Sequence, residues 1–504
     1  MTTLIVLAFL ALALIGTPLF LVFGASAMYL FATNEGTIAS VAVDVFSEKF
    51  ADSPQLVTIP LFTIAGYIMA EGGTPNRLIA LSRAWLGWMP GGLAVVCLCT
   101  SAFFTTFTGG SGITIVAIGG LLMPALIKER YPERFSLGLV TTAGSLGIMF
   151  PPALPLILYG IVANILIDKL FLAGFLPGVL TVVALSAYAS YVGVKSKVER
   201  VPFNLKHALS TTWHAKWTIG LPVVIVGGLA TGKLRVHEAS AFTGLYVLVV
   251  ETLIYRELSI RKDLPRIIRE SMTMVGAILA ILSTAIGFTA FLIQAQVPSL
   301  LLQSMQVLIT SKTMFLLVLN VFLLIAGMVM EIFGAIFVVV PLIAPIGKHF
   351  GIDPYHLAIM FLVNLEIAYL CPPLGLNLII SSFRFGTPVT AVYRSVLPFI
   401  AVLGVTLIVT TYVPWLSTYL PSLSKEKDLT SEELGAPAAP APGSEGEAPA
   451  EGAGDTLDDL NLDDLTLDDL DKEAPAAPDG TAAPDSAPAP GADAPADAPA
   501  PTAP

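Results

Sequence analysis

Long apolar runs constrain this chain more than any other feature of its sequence. Eight of them wholly or nearly lack charged residues, and they cover 3–31, 57–70, 92–107, 170–194, 217–230, 271–293, 314–330 and 388–416. In lipid the backbone cannot bond to water, so a spanning segment must satisfy its hydrogen bonds internally, as a helix or a closed barrel does. These runs lack the period-2 alternation of barrel strands and therefore predict helices. At about 20 residues per span they predict an all-α integral membrane protein with roughly ten to twelve spans and some shorter half-helices.

Charged residues make up only 12% of the chain, about half of the ~25% found in soluble proteins, so composition also indicates a membrane protein. The stretch from Thr3 to Ala32 lacks a basic n-region and a cleavage motif, which predicts a retained span and not a signal peptide. The more polar segment 37–53 predicts either an interfacial amphipathic helix or an ordinary loop helix. The three cysteines all lie in apolar runs, so we expect neither disulfides nor a metal site.

The net charge of −11 averages two unlike regions. Residues 424–504 contain 20 acidic and 3 basic residues, a net charge of −17, which leaves +6 for the rest of the chain. This region is rich in Ala and Pro and is predicted to be a disordered acidic tail. Its repeated Leu-Asp-Asp-Leu units, starting at 457, 462 and 467, favour a solvated spacer or a segment that folds on a partner.

Basic residues of the remaining chain occur in three groups, which the positive-inside rule predicts to be cytoplasmic. The groups are Lys128, Arg130 and Arg134; Lys195, Lys197, Arg200, Lys206 and Lys216; and Arg256, Arg261, Lys262, Arg266 and Arg269. By this count the N-terminus starts inside, and the acidic tail ends outside.

Two stretches of the chain share one order of features. Each has a turn rich in small residues, an apolar piece with a proline, a polar turn, and an apolar helix that ends at Pro-Pro. In the first copy these landmarks are 108–114, Pro124, Lys128–Arg134 and Pro151-Pro152; in the second they are 327–334, Pro341, Lys348–His356 and Pro372-Pro373. Pairing Gly110 with Gly327 places Pro124 and Pro341 14 residues further on in each copy.

This layout predicts two re-entrant hairpins and two broken helices. Non-helical backbone at membrane depth requires protein or a water-filled cavity to satisfy it, and proline removes an amide donor from a helix. Free carbonyls at helix C-termini can hold Na⁺, whereas free amides at N-termini attract anions. Paired, interrupted segments of this kind point to the midplane site of an inverted-repeat transporter.

These segments also resemble a known family. The runs 108–160 (TGGSGITIVAIGG…PPALPLILYG) and 327–378 (GMVMEIFGAIF…CPPLGLNL) resemble the core of the large membrane subunit of TRAP (tripartite ATP-independent periplasmic) transporters. The segment TGKLRVHEASAFTGLY, 231–246, looks like that family's Gly-x-x-x-Pro-Thr-Glu-Ala-Ala element. The resemblance covers roughly residues 1–420 and excludes the acidic tail.

The resemblance implies a secondary transporter of the bacterial inner membrane. Such a subunit works with a small four-span membrane subunit and a periplasmic substrate-binding protein, in contact with membrane lipid and with no nucleic acid. It imports a small organic anion, such as a C4-dicarboxylate or a sugar acid, with Na⁺ and not ATP. The absence of a Walker A motif agrees with ion coupling, and no cofactor is expected.

The resemblance further implies an elevator mechanism, in which a transport domain moves against a fixed scaffold. We assign 1–90 and 196–312 to the scaffold, and 91–195 and 313–420 to the transport domain. The tail, 424–504, belongs to neither.

Candidate ligands follow from the two copies and the resemblance together. For Na⁺ they are Thr108, Gly109, Ser111, Gly144, Ser145, Gly327, Glu331 and Cys371, because hard cations prefer oxygen ligands. For the substrate they are Gly112, Pro151, Asn364, Pro372 and Asn377. Gly110 stands where the family often has serine, so either Ser111 supplies the missing hydroxyl or one ligand is a main-chain carbonyl. Cys371 stands where the family commonly has threonine, and there coordination would come from the main-chain carbonyl.

Several of these positions keep alternatives open. Glu331 is either an ion ligand or a helix cap, and Asn364 and Asn377 either contact substrate or hold the broken backbone. Glu366 is a Na⁺ ligand, a proton carrier or a contact to a neighbouring subunit, since charge within a membrane indicates function. For Arg384, a role as a snorkelling residue at the membrane interface is favoured over a substrate contact. For Glu238, a structural role at a helix start is favoured over binding.

Two other functions compete with this prediction. A membrane enzyme is disfavoured, because the five histidines lack HExxH spacing and no GxSxG motif is present. A stand-alone sodium–carboxylate symporter with the same hairpins would need no binding protein, and dependence on a small four-span partner would distinguish the two.

Overall fold

The computed structural model describes residues 17, 19–33, 54–198, 202–231, 233–306, 309, 311–372 and 375–423. The predictions for 37–53 and for the acidic tail lie outside these residues, as does most of the predicted first span. Every regular element within the described part is helical, which confirms the all-α prediction.

In chain order the helices are α1 Leu19–Thr33, α2 Thr58–Glu71, α3 Thr74–Leu86, α4 Gly92–Thr108, α5 Ser111–Lys128, α6 Glu133–Ala143, α7 Leu154–Ala163, α8 Ile167–Lys195, α9 Leu205–His214, α10 Lys216–Ala230, α11 Val236–Val249, α12 Asp263–Gln294, α13 Val297–Gln306, α14 Lys312–Val329, α15 Ile332–His349, α16 Pro354–Ala368, α17 Leu376–Phe385, α18 Val389–Tyr412 and α19 Trp415–Leu423. A π-helical stretch, Ile115–Gly119, lies within α5. A 3₁₀ turn, Leu146–Met149, follows α6.

Five described helices are long and apolar enough to cross a membrane, namely α5, α8, α12, α15 and α18. A sixth span is formed if α6 with its 3₁₀ turn and α7, bent by 44°, are taken together. Seven further apolar helices have 10–17 residues. The described part therefore has fewer full spans than the predicted ten to twelve, because hairpin turns and helix breaks divide the apolar sequence into shorter pieces.

The first hairpin consists of α4 and α5 and turns at two glycines. Gly109 has a φ of 63° and closes α4 with a hydrogen bond from its amide to Thr105 O at 2.9 Å. That left-handed conformation favours glycine over residues with a β-carbon. Gly110 is extended, and α5 starts at Ser111.

The second hairpin consists of α14 and α15 and turns without glycine. Met330 and Glu331 are both extended, with φ values of −109° and −74°, and α15 begins at Ile332. Gly327 lies inside α14, where an added β-carbon would be 2.6 Å from Ala368 Cβ. Gly327 thus allows α14 and α16 to pack closely, and the predicted tip of 327–334 narrows to the turn at 330–331.

The two copies follow one constant spacing. Ser111, Lys128 and Glu133 begin or end α5 and α6, and the corresponding residues of α15 and α16, Ile332, His349 and Pro354, each lie 221 positions later. The same spacing relates Pro151 to Pro372. The hairpin part of the sequence alignment was wrong by four residues, since Pro124 corresponds to Pro345 and not to Pro341. The error arose because α15 contains two prolines, Pro341 and Pro345, and the first of them was paired with Pro124.

Each copy also packs against the hairpin of the other copy. Helix α7, after the first break, packs against α15 of the second hairpin, and α17, after the second break, packs against α5 of the first hairpin. An added β-carbon on Gly112 of α5 would lie 2.7 Å from Ile380 Cδ1 of α17. This reciprocal packing brings both hairpin tips and both breaks to one place in the molecule.

Outside the two copies, α2 packs against α4, α11 and α12, and α1 packs against α12. Stacked rings of Phe23 and Phe288, with centroids 5.8 Å apart, join α1 to α12. A partly buried ion cluster lies near the C-terminal end of α2, where Arg77 of α3 contacts both the buried Glu251 and the exposed Glu257. The Arg77 guanidinium also lies 3.8 Å from the centroid of the Tyr255 ring.

Candidate functional site

A cavity of about 240 Å³ lies where the two hairpin tips meet. The first tip contributes Gly109, Gly110, Ser111, Gly112 and Ile113, and the second contributes Glu331, Ile332 and Phe333. The breaks contribute Ile148, Pro155, Tyr369, Leu376 and Ile380. A small, mostly apolar cavity with a few convergent polar groups is typical of a small-molecule site.

Two residues outside the repeated copies complete the wall. Tyr67 of α2 and Met274 of α12 both line the cavity, and the Tyr67 hydroxyl lies 3.4 Å from Met274 Sδ. The cavity is therefore bounded on one side by the predicted transport domain and on the other by the predicted scaffold.

Two helix N-termini open into this cavity. Helix α5 starts at Ser111 and Gly112, and α15 starts at Ile332 and Phe333; all four residues line the wall. The first-turn amides of a helix lack intrahelical partners and carry the positive end of the helix dipole. Their convergence makes the cavity favourable for an anionic group.

The second tip already places one carboxylate near these amides. Glu331 is the N-cap residue of α15, and its carboxylate lies near the backbone amides of Phe333 and Gly334 without making a capping hydrogen bond to them. The amide of Ile332 instead donates to the Tyr369 hydroxyl at 2.9 Å. The hydrogen bond from Ile332 holds the turn against the second break. The N-cap position of Glu331 leaves both the helix-cap and the ion-ligand alternatives open.

Short contacts between hydroxyl and carbonyl oxygens connect the first tip to the first break. The Thr105 hydroxyl lies 3.0 Å from Gly144 O and 2.8 Å from Thr114 Oγ1. An added β-carbon on Gly144 would be 3.1 Å from Ser111 O, so glycine keeps this carbonyl close to the break. Side-chain and main-chain oxygens of this kind suit a hard monovalent cation such as Na⁺.

The next residue of α4 makes a similar contact to the same break. The Thr106 hydroxyl donates to Gly147 O at 3.3 Å and to Ala102 O at 2.8 Å. Sequence reasoning did not select Thr105, Thr106, Thr114 or Gly147. The signal was present in the run Phe104-Thr-Thr-Phe107, since hydroxyls one turn before a hairpin tip can reach the facing break.

Four of the predicted ligands line the cavity, namely Gly109, Ser111, Gly112 and Glu331. Thr108 is buried at the end of α4 and donates to Phe104 O at 3.2 Å. Ser145 is buried after α6 and donates to Thr142 O at 3.3 Å. Pro151 is buried between cavity-lining residues Ile148 and Pro155.

The structure does not bring Asn364 to the cavity. Its amide nitrogen donates to Asn320 Oδ1 at 2.7 Å, and Asn320 in turn donates to Thr411 Oγ1 at 3.1 Å. This buried chain joins α14, α16 and α18, so the position favours the alternative in which Asn364 supports the backbone near the break.

Asn377 lies between the two broken helices. Its amide nitrogen is 3.5 Å from Thr141 O, and the Thr141 hydroxyl contacts Ser381 Oγ at 2.8 Å. Cys371 is buried and Pro372 is exposed at the second break, and neither lines the cavity.

Three charged residues weighed from the sequence have distinct surroundings. Glu366 is fully buried, and neither carboxylate oxygen has a hydrogen-bond partner among the described residues. Arg384 is exposed and donates from Nε to Val116 O of α5 at 3.3 Å. The Glu238 carboxylate accepts from the Arg235 amide at 2.9 Å, as expected of a helix start.

Comparison with known proteins identifies the family. The family model described as "Tripartite ATP-independent periplasmic transporter, DctM component" matches residues 4–416. The chain is similar to an isethionate TRAP transporter permease of Oleidesulfovibrio alaskensis, with 35% identity over 403 residues, which cover 79% of this chain and 63% of that longer protein. It is also similar to the C4-dicarboxylate TRAP large permease of Vibrio cholerae, with 32% identity over 81% of this chain and 95% of that protein.

A solved structure shares the fold. The chain resembles the Alcanivorax borkumensis YdaH transporter with a TM-score of 0.58 and 14% identity, over 80% of this chain and 98% of that one. The family match spans all the described helices up to the start of α19. The chain is therefore a multi-pass membrane protein and belongs to the DctM component family of tripartite ATP-independent periplasmic transporters.

Proposed function

We propose that this chain is a large permease subunit that imports a small organic anion together with Na⁺. The observation that carries the proposal is the cavity in which both hairpin tips, both helix breaks and two helix N-termini converge. One site of this kind, built from two copies of one element, is the pattern expected of a secondary transporter.

The anion is proposed from the N-terminus of α5, because the start of α15 already has the Glu331 carboxylate beside it and gives its Ile332 amide to Tyr369. A helix dipole directed at the cavity stabilises negative charge by about 0.3–1 kcal/mol at exposed positions and more when partly buried. No described lysine or arginine lines the cavity, so backbone amides would bind the anionic group. A volume of about 240 Å³ limits the ligand to a small molecule.

Sodium coupling is proposed from the oxygen atoms between the first tip and the first break. Ser111 O, Gly144 O and the hydroxyls of Thr105 and Thr114 approach one another there. A cation bound among them would hold the start of α5 in the position that faces the cavity. Ion binding would in this way favour anion binding at the adjacent N-terminus.

An elevator movement is proposed from the composition of the cavity wall. Tyr67 and Met274 belong to the scaffold assigned from the sequence, 1–90 and 196–312, whereas the tips and breaks belong to the assigned transport domain, 91–195 and 313–420. A site between two such bodies can change its exposure when one of them slides against the other.

The substrate class and partners are proposed from the family. Relatives are named for C4-dicarboxylate, isethionate and ectoine transport, and most of these are small anions. We propose a C4-dicarboxylate or a similar carboxylate as substrate. The tripartite family description supports two partners, a small membrane subunit and a periplasmic binding protein. We propose the inner membrane as the location of this chain.

Reconstitution in proteoliposomes tests the proposal. Vesicles that hold this chain and the small subunit receive the binding protein and radiolabelled succinate, malate or isethionate from outside, with an inward gradient of Na⁺ or K⁺. We expect uptake of at least one of these anions with Na⁺ and the binding protein present. Equal uptake with K⁺ would contradict sodium coupling.

The same vesicles test the alternative of a stand-alone sodium–carboxylate symporter. If the chain alone transported succinate as fast as the three-component system, the partner requirement would be wrong while sodium coupling could still hold. The two halves of the proposal therefore fail independently.

A further inference from the structure

Four of the five tryptophans of the chain lie on one surface. Trp85 and Trp88 lie at the end of α3 and in the turn after it, and Trp213 and Trp217 lie at the end of α9 and the start of α10. Their exposed fractions are 40%, 50%, 69% and 39%. We call these four residues, together with Phe203 and α9, the tryptophan surface.

Specific contacts hold these rings in place. The Trp85 indole donates to Thr212 Oγ1 of α9 at 2.9 Å, and the Trp88 indole donates to Trp85 O at 2.8 Å. The Phe203 ring lies 6.2 Å from Trp85 and 6.4 Å from Trp88, measured between centroids. The rings are thus oriented by the fold while a large part of each faces outwards.

Helix α9 exposes its apolar side. Ala208 is fully buried against the protein, and α9 packs against α3. Leu205, Leu209 and Trp213 follow at four-residue spacing and are 54%, 55% and 69% exposed. A short helix with a bare apolar stripe and polar neighbours is typical of a segment that lies in the membrane–water interface.

The chain around α9 carries only positive charge. No Asp or Glu occurs between Glu199 and Glu238; Lys206 lies in the first turn of α9, and Lys216 lies two residues after its end. Lys195 and Lys197 lie at the end of α8, which packs at Gly193 against Gly91, close in sequence to Trp88. None of these four lysines forms an ion pair with another residue of the described chain.

One lysine is already positioned beside two of the rings. Lys216 Nζ lies 3.9 Å from the centroid of Trp213 and 5.5 Å from that of Trp217. A cation–π contact of this length orients the ammonium group without neutralising it. The ammonium therefore remains available to an anion at the level of the indole rings.

We propose that the tryptophan surface binds the phosphate headgroup of an anionic phospholipid. Lys206 and Lys216 would contact the phosphate, while Leu205, Leu209 and Trp213 would contact the upper acyl chains. Indole rings and lysines together at one level are the side chains that favour the headgroup region. A protein partner would instead have to match an apolar stripe and unpaired positive charge with an acidic, apolar face of its own.

Fluorescence quenching by brominated lipids tests this assignment directly. In a Trp415→Phe background, all tryptophan emission comes from the tryptophan surface. The full chain is reconstituted in phosphatidylcholine vesicles with equal mole fractions of brominated phosphatidylglycerol or brominated phosphatidylcholine. We expect the brominated phosphatidylglycerol to quench more strongly, and we expect high salt to reduce the difference.

Matched variants identify the lysines responsible. The double variant Lys206→Gln/Lys216→Gln should lower the relative association constant for phosphatidylglycerol by about fivefold per lysine. Lys233→Gln, at the other end of α10, should leave it unchanged. Lys206→Arg/Lys216→Arg, which retains both charges, should keep the preference and serves as the comparison if the glutamine variant does not fold.

Equal quenching by the two lipids would overturn the proposal. So would an unchanged preference in the folded Lys206→Gln/Lys216→Gln variant. If addition of the small membrane subunit abolished quenching by both lipids, the surface would be a protein interface and the lipid assignment would be wrong.

Discussion

Gly66 of α2 lies directly against the main-chain carbonyl of Phe107 in α4, with no space for a side chain between them. An added β-carbon would also lie 2.8 Å from Thr108 Cα. The predicted scaffold thus meets the first hairpin at the two residues before its turn. This contact determines how closely Tyr67, the next residue of α2, approaches the cavity.

Replacement of Gly66 by alanine should separate α2 from the first tip. Overpacking of this kind costs typically about 1–3 kcal/mol, and we expect uptake in proteoliposomes to fall by about tenfold or more. Gly276→Ala is the matched control, because no atom of the described residues lies within 4 Å of a β-carbon added at Gly276 of α12. Normal uptake by a folded Gly66→Ala variant would show that this contact does not control transport.

Replacement of Thr105 by valine should weaken the link between the first tip and the first break. The change keeps the shape of the side chain and leaves Gly144 O without this hydroxyl, a loss of about 1–3 kcal/mol. We expect a higher Na⁺ concentration for half-maximal uptake. Thr105→Ser keeps the hydroxyl and should behave like the parent protein; an equal sodium requirement in both variants would refute the role of Thr105.

Replacement of Glu331 by glutamine distinguishes an ion ligand from a helix cap. If the carboxylate contacts Na⁺, the half-saturating Na⁺ concentration should rise about tenfold, as for the loss of a charge-assisted contact. Glu331→Asp keeps the charge and remains a good N-cap. A purely capping role predicts that Glu331→Gln lowers the unfolding temperature and leaves the sodium requirement unchanged.

Replacement of Glu251 by glutamine should destabilise the scaffold strongly. Glu251 is nearly fully buried and contacts Arg77 and the Thr74 hydroxyl. Loss of one partner from a buried ion pair costs about 3–5 kcal/mol, and we expect the lower end of that range because Arg77 keeps Glu257 as a partner. The partly exposed pair of Arg83 and Glu129, 2.7 Å apart, provides the comparison. Arg83→Gln should cost about 1 kcal/mol or less, so equal shifts in unfolding temperature would be the contrary result.

Replacement of Asn364 by leucine should affect stability and not substrate affinity. The change removes the hydrogen bonds from the Asn364 amide to Asn320 Oδ1 and Met360 O, which costs about 1–3 kcal/mol, while the cavity wall stays intact. We expect a lower unfolding temperature and an unchanged KM for succinate uptake. A raised KM at normal stability would instead support the predicted substrate contact.

The hairpins and breaks could be predicted because they depend on local chemistry. Gly109 and Gly110 permit a turn that other residues resist, and Pro151-Pro152 interrupts hydrogen bonding in any surrounding helix. Such effects act over a few residues and are visible in sequence order. The second tip was harder to place, because Met330 and Glu331 form an extended turn without any glycine.

The sequence by itself determined the membrane class, the helical composition and the existence of two related copies, since apolar length and turn residues suffice for these. Only the tertiary structure decided which residues share the cavity. Asn364 and Glu366 lie two positions apart in sequence, yet only Asn364 joins a hydrogen-bonded chain between helices, and the Thr105 hydroxyl reaches the carbonyl of Gly144, 39 positions away. Such pairings depend on how α4, α6 and α16 pack against one another, and that packing joins residues far apart in sequence.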